Sequence, residues 1–275
     1  MAEGVKPLIS IVTPVYNGAK YLDELIVSVQ QQDSPHVEHI VIDDGSTDNG
    51  ATVAVLKRYP HLRWWSRENK GQYATLNEGL AASTGSIIGI ISADDKYVVP
   101  STFSSVLKFW ESQPQSKWIY GRTLRMDSAG TLLPPDPTLQ KEPFASWFIR
   151  YRLLIQHCSV FVDKQLIVDN GIWFDPTYRY VGDWDWIIRL SISGRRAYLD
   201  KALSVYREHD DQTMQRATRR RLFEEGRRVR QKYKANTIIY WLLVYQHRFM
   251  KAVWLLRQAG VQGLYRATKT WLKQH

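Results

Sequence analysis

The sequence has a single cysteine and lacks the glycine-rich motifs of two common nucleotide-binding folds. One thiol, Cys158, excludes an internal disulfide and any zinc site built from several cysteines. Residues 13–20, "TPVYNGAK", contain one glycine where a dinucleotide-binding fold needs G-x-G-x-x-G, and no G-x-x-x-x-G-K-[ST] occurs anywhere. A dinucleotide-dependent dehydrogenase and a P-loop kinase are therefore set aside.

Long hydrophobic runs are also missing. The apolar run at residues 8–17 is short and broken by Pro14, so it is expected to be neither a signal peptide nor an anchor. A second apolar stretch, 237–256, is interrupted by Gln246, His247, Arg248 and Lys251 before it reaches the length of a spanning helix. With one cysteine and no N-x-[ST] site, the sequence predicts a cytoplasmic protein.

Charge is distributed unevenly. Residues 216–275 contain 15 Lys and Arg but only two Glu, a net charge of +13, whereas residues 1–215 contain 22 basic and 25 acidic residues. The overall charge of +10 therefore belongs to the C-terminal segment. We predict two units: a body, 1–215, and a basic amphipathic helical tail, 216–275.

The body alternates between strand and helix patterns. Apolar, β-branched runs begin at residues 8, 37, 62 and 86, and helical periodicity is found at 19–32, 51–60 and 73–84. Strands separated by helix-length segments indicate βαβ units. The predicted fold class is α/β, with a mostly parallel, Rossmann-like sheet flanked by helices and a C-terminal helical extension.

Polar side chains follow each of the four predicted strands. The clusters are Tyr16-Asn17, Asp43-Asp44, Glu68-Asn69-Lys70 and Asp94-Asp95. Ligands of parallel sheets bind beyond the carboxyl ends of the strands, so these clusters predict one site. Several carboxylates without phosphate-binding glycines favour a diphosphate held through Mg²⁺ or Mn²⁺. The alternative is that the paired aspartates only shape turns or cap helices.

Several segments, in order, resemble the inverting glycosyltransferases of family 2, which have the GT-A fold. The segments are "SIVTPVYNGAKYLDELIVSV", "VIDDGSTD", "ENKGQYATLNEGL", "IISADD", "QHCSVFVDKQLIVDNGIWFDPTYRYVGDWDWIIRL" and "VYREHDDQT", which fall within residues 8–215. The resemblance implies a donor-binding half, about 1–100, and an acceptor-binding half, 101–215. It implies transfer of a sugar from a nucleotide-diphospho-sugar, with UDP expected, to an acceptor hydroxyl with inversion. It also implies a part in assembling a bacterial cell-surface polysaccharide or glycolipid.

The resemblance also implies roles for individual residues. The residues expected to bind the nucleotide are Thr13, Pro14, Tyr16, Asn17, Asp44, Lys70 and Asp94. Asp94 and Asp95 match the D-x-D metal region, where one acid is expected to bind the ion and the other the ribose or sugar; which does which is open. Ser92 stands where the first Asp of D-x-D is often found. His209 is expected to complete the metal or diphosphate site, the alternative being an ordinary surface histidine.

On the acceptor side, Asp183 matches the catalytic base of the family, with Gly182 in place of the acid that often precedes it. A carboxylate there would take the proton of the attacking hydroxyl. Asp185 points elsewhere, whether in a strand or a helix. Trp184 is a candidate sugar contact, although tryptophans are more often core residues. His157, beside Cys158, is interpreted as an ordinary residue, because neighbours on a strand point oppositely.

The tail mixes Lys and Arg with Trp, Tyr and Leu, which is typical of a helix lying on an anionic membrane surface. This predicts a peripheral protein at the inner face of the plasma membrane, acting on a carbohydrate or lipid-linked acceptor. The alternative is that the apolar residues pack on the body or in a homodimer. Nucleic acid is not an expected partner, because no recognition motif accompanies the charge.

A second function class stays open. The carboxylates missing at Ser92 and Gly182 are also compatible with a non-catalytic protein that binds a nucleotide-sugar or a membrane surface.

Overall fold

The computed structural model describes residues 9–34, 36–135, 146–212, 218–246 and 249. The strands are β1 Ile9–Val15, β2 Val37–Asp43, β3 Arg63–Ser66, β4 Ile87–Ile90, β5 Lys96–Tyr97, β6 Trp118–Met126, β7 Val160–Asp163 and β8 Arg196–Arg207. The helices are α1 Ala19–Gln30, α2 Ala51–Leu56, α3 Gln72–Ala82, α4 Thr102–Ser112, α5 Lys164–Asn170, α6 Gly182–Ser193 and α7 Arg219–Lys232. Short 3₁₀ turns span Ser146–Arg150 and His157–Ser159.

The first four strands form the parallel part of the sheet, in the order β3-β2-β1-β4. Both faces of β1 are covered. Ile11 packs in one core cluster with Leu25 of α1, and Val12 packs in a second cluster with Leu76 of α3. A strand buried on both faces explains why the sequence shows a continuous apolar run there. The predicted strands and helices of this half are confirmed to within a few residues at their ends.

The sheet continues as β7-β6-β8-β5 and becomes mixed. β7 is antiparallel to both β4 and β6, β8 is parallel to β6, and β5 is antiparallel to β8. This arrangement determines which segments meet. The carboxyl ends of β4 and β8 and the start of β7 all lie at one sheet edge, so residues 92–95, 156–158 and 207–209 converge there.

Helix α7, the first part of the predicted tail, packs against the body. Val229 is fully buried in the same core cluster as Trp184. The fully buried Asp185 accepts hydrogen bonds from Lys232 Nζ (2.7 Å) and Tyr233 Oη (2.9 Å). Glu225 accepts hydrogen bonds from three consecutive backbone N–H groups, those of residues 179–181.

Residues 237–246 form a further helix, which exposes large apolar side chains, unlike the basic α7. Ile238, Leu242, Tyr245 and Phe249 are each more than 60% exposed. Among the described residues, no helix is both long and apolar enough to cross a membrane. Most of the predicted tail beyond this point, including Arg248 and residues 251–275, lies outside the described residues.

Candidate active site

A cavity of about 1130 Å³ opens at the carboxyl ends of the parallel strands. Its walls include most of the residues predicted from the sequence. The predicted residues that line it are Pro14, Tyr16, Asn17, Asp44, Lys70, Asp94, Asp183 and His209. Three predicted residues lie elsewhere, namely Thr13, Asp95 and Trp184, and each is buried.

The end of β1 is fastened to the loop after β2. Asn17 adopts a left-handed backbone conformation (φ 51°), which asparagine tolerates better than most residues. Its backbone N–H donates to Ser46 Oγ (2.8 Å), and its Oδ1 accepts from the Thr47 N–H (2.7 Å). Tyr16, half exposed beside it, presents its ring to the cavity. This loop therefore holds an aromatic face at the cavity wall.

The two aspartates after β2 both organise loops. Asp43, 1% exposed, accepts hydrogen bonds from the hydroxyls of Ser46 and Ser66 and faces the sheet edge. Asp44 pairs with Arg67 and accepts from the backbone N–H groups of Lys70 (2.8 Å) and Gly71 (3.0 Å). Asp44 thus fixes the loop that brings Lys70 to the cavity, and its own direct contact with a nucleotide stays a prediction.

Of the two acids after β4, only Asp94 faces the cavity. Asp94 Oδ2 lies 3.0 Å from His209 Nε2, and both residues line the cavity. Asp95 is 1% exposed, and its Oδ1 accepts the Arg207 backbone N–H (2.9 Å). Burial, and then the charge of Asp94, raise the pKa of Asp95 well above its usual value. Asp95 is buried and does not line the cavity with Asp94 and His209, so its role as a metal ligand stays a prediction.

Asp94 and His209 present a carboxylate and an imidazole to the cavity, and both kinds of group bind divalent cations. The His209 ring packs 4.9 Å from the ring of Tyr21, and its Nδ1 has no hydrogen-bond partner within the described part of the chain. Among the described residues, no group of three or more His, Cys, Asp or Glu side chains is arranged to hold an ion. A cation on this pair would therefore need further ligands, which Mg²⁺ commonly takes from substrate phosphates and water.

Asp183 lies in the first turn of α6, with its carboxylate at the cavity. The helix start is anchored by Tyr73, whose hydroxyl accepts the Gly182 N–H (2.8 Å). Burial, and then the charge of Asp183, raise the pKa of Tyr73 well above its usual value. Asp185, two residues later, is fully buried and paired with Arg189 and Lys232. Only Asp183 of the two acids can meet a substrate.

Two predicted site residues, Thr13 and Trp184, do not line the cavity. Thr13 is fully buried, and its Oγ1 lies 3.1 Å from Nε2 of the buried His39, so it faces the sheet interior. Trp184 is 5% exposed, and its indole N–H donates to the Ile149 carbonyl (2.6 Å). Its ring is core packing. Beside the predicted Tyr16, further aromatic residues line the cavity that the sequence analysis missed. They include Tyr120, Tyr178, Tyr180, Tyr198 and Tyr206.

Two further cavity residues were not assigned a role. His157 Nδ1 lies 3.3 Å from Asp183 Oδ2, and His157 Nε2 lies 3.2 Å from Ser92 Oγ. The contact depends on the antiparallel pairing of β7 with β4, which brings the residue before β7 to the end of β4. The tyrosine spacing of two in "TYRY", which contains Tyr178 and Tyr180, is a signal that one side of this loop is aromatic. No comparable signal points to His157.

The chain is similar to known glycosyltransferases. A family model described as Glycosyl transferase family 2 matches residues 10–164, more than half of the chain. An uncharacterized glycosyltransferase of Rickettsia bellii is 30% identical over 213 residues, which make up 75% of this chain and 30% of that relative. The chain therefore spans less than a third of the relative's length.

Solved structures show the same fold. TarS of S. aureus in complex with UDP-GlcNAc superposes with a TM-score of 0.64 at 23% identity, covering 76% of this chain and 61% of TarS. The mannosyltransferase PcManGT of Pyrobaculum calidifontis, in complex with GDP-Man and Mn²⁺, superposes with a TM-score of 0.53 at 18% identity, covering 74% of this chain and 57% of its own. The expected GT-A fold is confirmed. Because the family model spans β1 to β7 and the strand-end loops between them, this chain belongs to glycosyltransferase family 2.

Proposed function

We propose that the chain transfers a sugar, with inversion, from a nucleotide-diphospho-sugar to an acceptor hydroxyl. The observation that carries this proposal is the presence of Asp183 and the Asp94–His209 pair in the walls of one cavity. Asp183 serves as the base on the acceptor side. Asp94 and His209 bind the diphosphate through a divalent cation on the donor side. In this proposal, the proton acceptor and the leaving-group site share one cavity.

The step needs only one proton acceptor from the protein. Asp183 takes the proton of the acceptor hydroxyl as that oxygen forms a bond to the anomeric carbon. The bond between that carbon and the diphosphate oxygen breaks, and its electron pair leaves with the nucleoside diphosphate. Because the base and the leaving group lie on opposite sides of the sugar, the anomeric centre is inverted. A Mn²⁺ or Mg²⁺ on Asp94 and His209 would neutralise charge on the leaving diphosphate.

The donor half offers a place for the nucleotide. Tyr16 can stack on a base, Pro14 and Asn17 lie beside it, and Lys70 adds a positive charge near the diphosphate. UDP-GlcNAc in TarS and GDP-Man with Mn²⁺ in PcManGT support a nucleotide-sugar and a divalent cation here. We propose UDP as the nucleotide. The tyrosine-rich wall suits a carbohydrate acceptor, because aromatic faces stack on sugar rings.

The test is turnover of a panel of UDP-, GDP- and dTDP-sugars with and without Mn²⁺, with the anomeric configuration of the product read by NMR. Asp183→Asn should lower turnover by about 10²- to 10⁴-fold, because it keeps the shape and deletes the proton acceptor. Nucleotide binding, measured by calorimetry, should stay unchanged. The matched control is Asp169→Asn, at an exposed position on α5.

The possible results test the function class, the base and the stereochemistry separately. Binding of a nucleotide-sugar without turnover on any donor would support the non-catalytic alternative. Full turnover by Asp183→Asn would remove Asp183 as the base. A product that retains the donor's anomeric configuration would contradict inversion.

We also propose that the segment from residue 237 onward places the enzyme on the cytoplasmic face of an anionic membrane, where a lipid-linked acceptor of cell-surface polysaccharide or glycolipid assembly is found. Trp241, Leu242, Tyr245 and Phe249 are exposed on a helix next to the basic α7. Each Lys or Arg near such a surface contributes about 1 kcal/mol, and apolar side chains add a salt-resistant part.

Co-sedimentation of the full chain with vesicles tests this placement. Binding to vesicles rich in phosphatidylserine should exceed binding to neutral vesicles and should weaken at 1 M salt. The double variant Trp241→Ser with Leu242→Ser should lose the part that resists salt, whereas Ile192→Ser, at an exposed position on α6, should not. Absence of sedimentation together with a stable dimer in solution would favour the homodimer alternative.

A further inference from the structure

We propose that His157 is a positioning residue for the base Asp183, and that Ser92 holds His157 in the tautomer this role requires. The inference rests on the proposed role of Asp183. It adds two residues that neither the sequence analysis nor the family comparison assigned.

The three side chains come from three separate elements and form a line. Ser92 follows β4, His157 lies in the 3₁₀ turn before β7, and Asp183 lies in the first turn of α6. Ser92 Oγ is 3.2 Å from His157 Nε2, and His157 Nδ1 is 3.3 Å from Asp183 Oδ2. All three line the cavity, and the His157 and Asp183 side chains are 13% and 14% exposed. The group is therefore within reach of a substrate.

The protons in this line follow from the chemistry of each group. An ionised carboxylate only accepts, so Nδ1 of His157 must bear the hydrogen in its contact with Asp183. In a neutral imidazole, Nε2 is then an acceptor, and the Ser92 hydroxyl must donate to it. Ser92 thereby selects the tautomer that His157 needs.

The consequence for Asp183 is a fixed carboxylate plane. Its Oδ1 accepts the Trp184 backbone N–H (2.9 Å) and its Oδ2 accepts from His157. With one hydrogen bond on each oxygen, the carboxylate cannot rotate freely about its last bond, and its remaining lone pairs stay available to the cavity. A base held in one orientation reacts faster, because misplacement by about 1 Å can cost about 10²-fold.

The same geometry gives a reason for serine at position 92. A carboxylate at this position could only accept a hydrogen bond, so it could not donate to Nε2. A hydroxyl can donate to Nε2 and so favours the tautomer whose Nδ1–H faces Asp183. Ser92 is thus compatible with an active base next to His157.

The experiment is a double-mutant cycle on the full chain. It uses the donor that gives turnover in the panel described above. We expect His157→Ala to lower kcat by about 10- to 10²-fold with little change in KM for the donor. In the Asp183→Asn background the same substitution should change the residual kcat by no more than about twofold, because its effect passes through Asp183.

Conservative variants separate positioning from folding. His157→Asn should keep most of the activity, because its Nδ2 can take the place of ring Nδ1 and donate to Asp183. His157→Gln, whose amide reaches the place of Nε2, should not. Ser92→Thr should retain kcat, and Ser92→Asp should lower it. The control is His61→Asn, because His61 is exposed and lies before the start of β3, away from the sheet edge that bears the cavity.

Several results would overturn the proposal. Wild-type kcat in His157→Ala would do so, as would an equal loss in both backgrounds, which is what a structural role predicts. Equal activity of His157→Asn and His157→Gln would remove the directional contact with Asp183. Full activity of Asp183→Asn would instead overturn the base assignment on which the inference rests. If Asp183→Asn were inactive and His157→Ala had wild-type kcat, the proposed function would be supported and the role of His157 would be contradicted.

Discussion

The two halves of the cavity are held by different kinds of contact. On the donor side, the loop residues bind one another. Asn17 is tied to Thr47, and Asp44 accepts from the backbone of the loop that holds Lys70. Both contacts join neighbouring βα units of the parallel sheet. Apart from His209, which meets Asp94 from the end of β8, the proposed donor wall is therefore built within the first hundred residues.

On the proposed acceptor side, remote elements hold Asp183, the proposed base. The helix start that bears Asp183 is fixed by Tyr73 of α3, by His157 before β7, and by Glu225 of α7, which accepts three N–H groups of the segment leading into α6. A basic helix outside the family-model match thus contributes to the position of the proposed base. We therefore expect changes in α7 to affect the proposed base more than the donor wall.

Apart from loss of the proposed base itself, the largest effect is expected at Asp94. Asp94→Asn should lower turnover by about 10²-fold or more and raise the Mn²⁺ concentration needed for half-maximal activity, because a cation on this site loses a charged ligand. Asp95→Asn should leave the metal requirement unchanged, because Asp95 is buried and its Oδ1 bond from the Arg207 N–H can be kept by an amide oxygen. Turnover against Mn²⁺ concentration measures both. Equal shifts in the two variants would contradict the assignment of Asp94 alone.

The next effect tests the acceptor side. Glu225→Gln should lower the free energy of unfolding by about 2 kcal/mol, because hydrogen bonds to a charged acceptor are lost or weakened. It should also reduce kcat while leaving nucleotide affinity unchanged. Glu224→Gln is the matched control, since Glu224 forms an exposed ion pair with Arg220 and should change stability by less than about 0.5 kcal/mol. Urea unfolding and calorimetric nucleotide binding provide the readouts. A loss of nucleotide affinity in Glu225→Gln would show that the halves are not separable.

The same division explains what the sequence could predict. The donor half follows a local rule, in which an apolar run is succeeded by a polar cluster. The strands, the helices between them and the cavity position of Asp94 therefore follow from residues close in sequence. Asp95 shows the limit of that rule, because a pair of neighbouring acids does not indicate which one turns inward. Its orientation depends on the backbone N–H of Arg207, 112 residues away.

The acceptor half depends on pairings that local patterns do not encode. His157 reaches Asp183 only because β7 runs antiparallel to β4, and strand direction is not visible in the composition of a four-residue strand. Trp184 is a core residue, and its indole N–H donates to the carbonyl of Ile149. The segment around Ile149 has no strong periodicity from which this contact could be predicted. The packing of α7 depends on the buried Asp185, a charge that a sequence pattern places on a helix surface.

The smallest effect concerns the core beneath the donor wall. His39 is buried against Thr13, and burial, followed by the charge of His61, lowers its pKa from about 6.5 to about 3. In the unfolded chain the imidazole takes up a proton below about pH 6.5, whereas in the folded protein it stays neutral until about pH 3. The contribution of the buried, neutral His39 to the free energy of unfolding is therefore complete above pH 6.5. It is lost as the pH falls towards 3, by about 1.4 kcal/mol per pH unit.

His39→Gln isolates that contribution, because an amide nitrogen can replace Nε2 in the contact with Thr13 without titrating. Between pH 7.5 and pH 5.5, the wild type should lose about 1.4 kcal/mol of unfolding free energy more than the variant does. The same substitution at the exposed His61 should leave the wild-type pH dependence nearly intact. Urea unfolding at the two pH values measures the difference. Parallel losses in wild type and His39→Gln would show that His39 is protonated in the folded state and that the donor-side core is open to water.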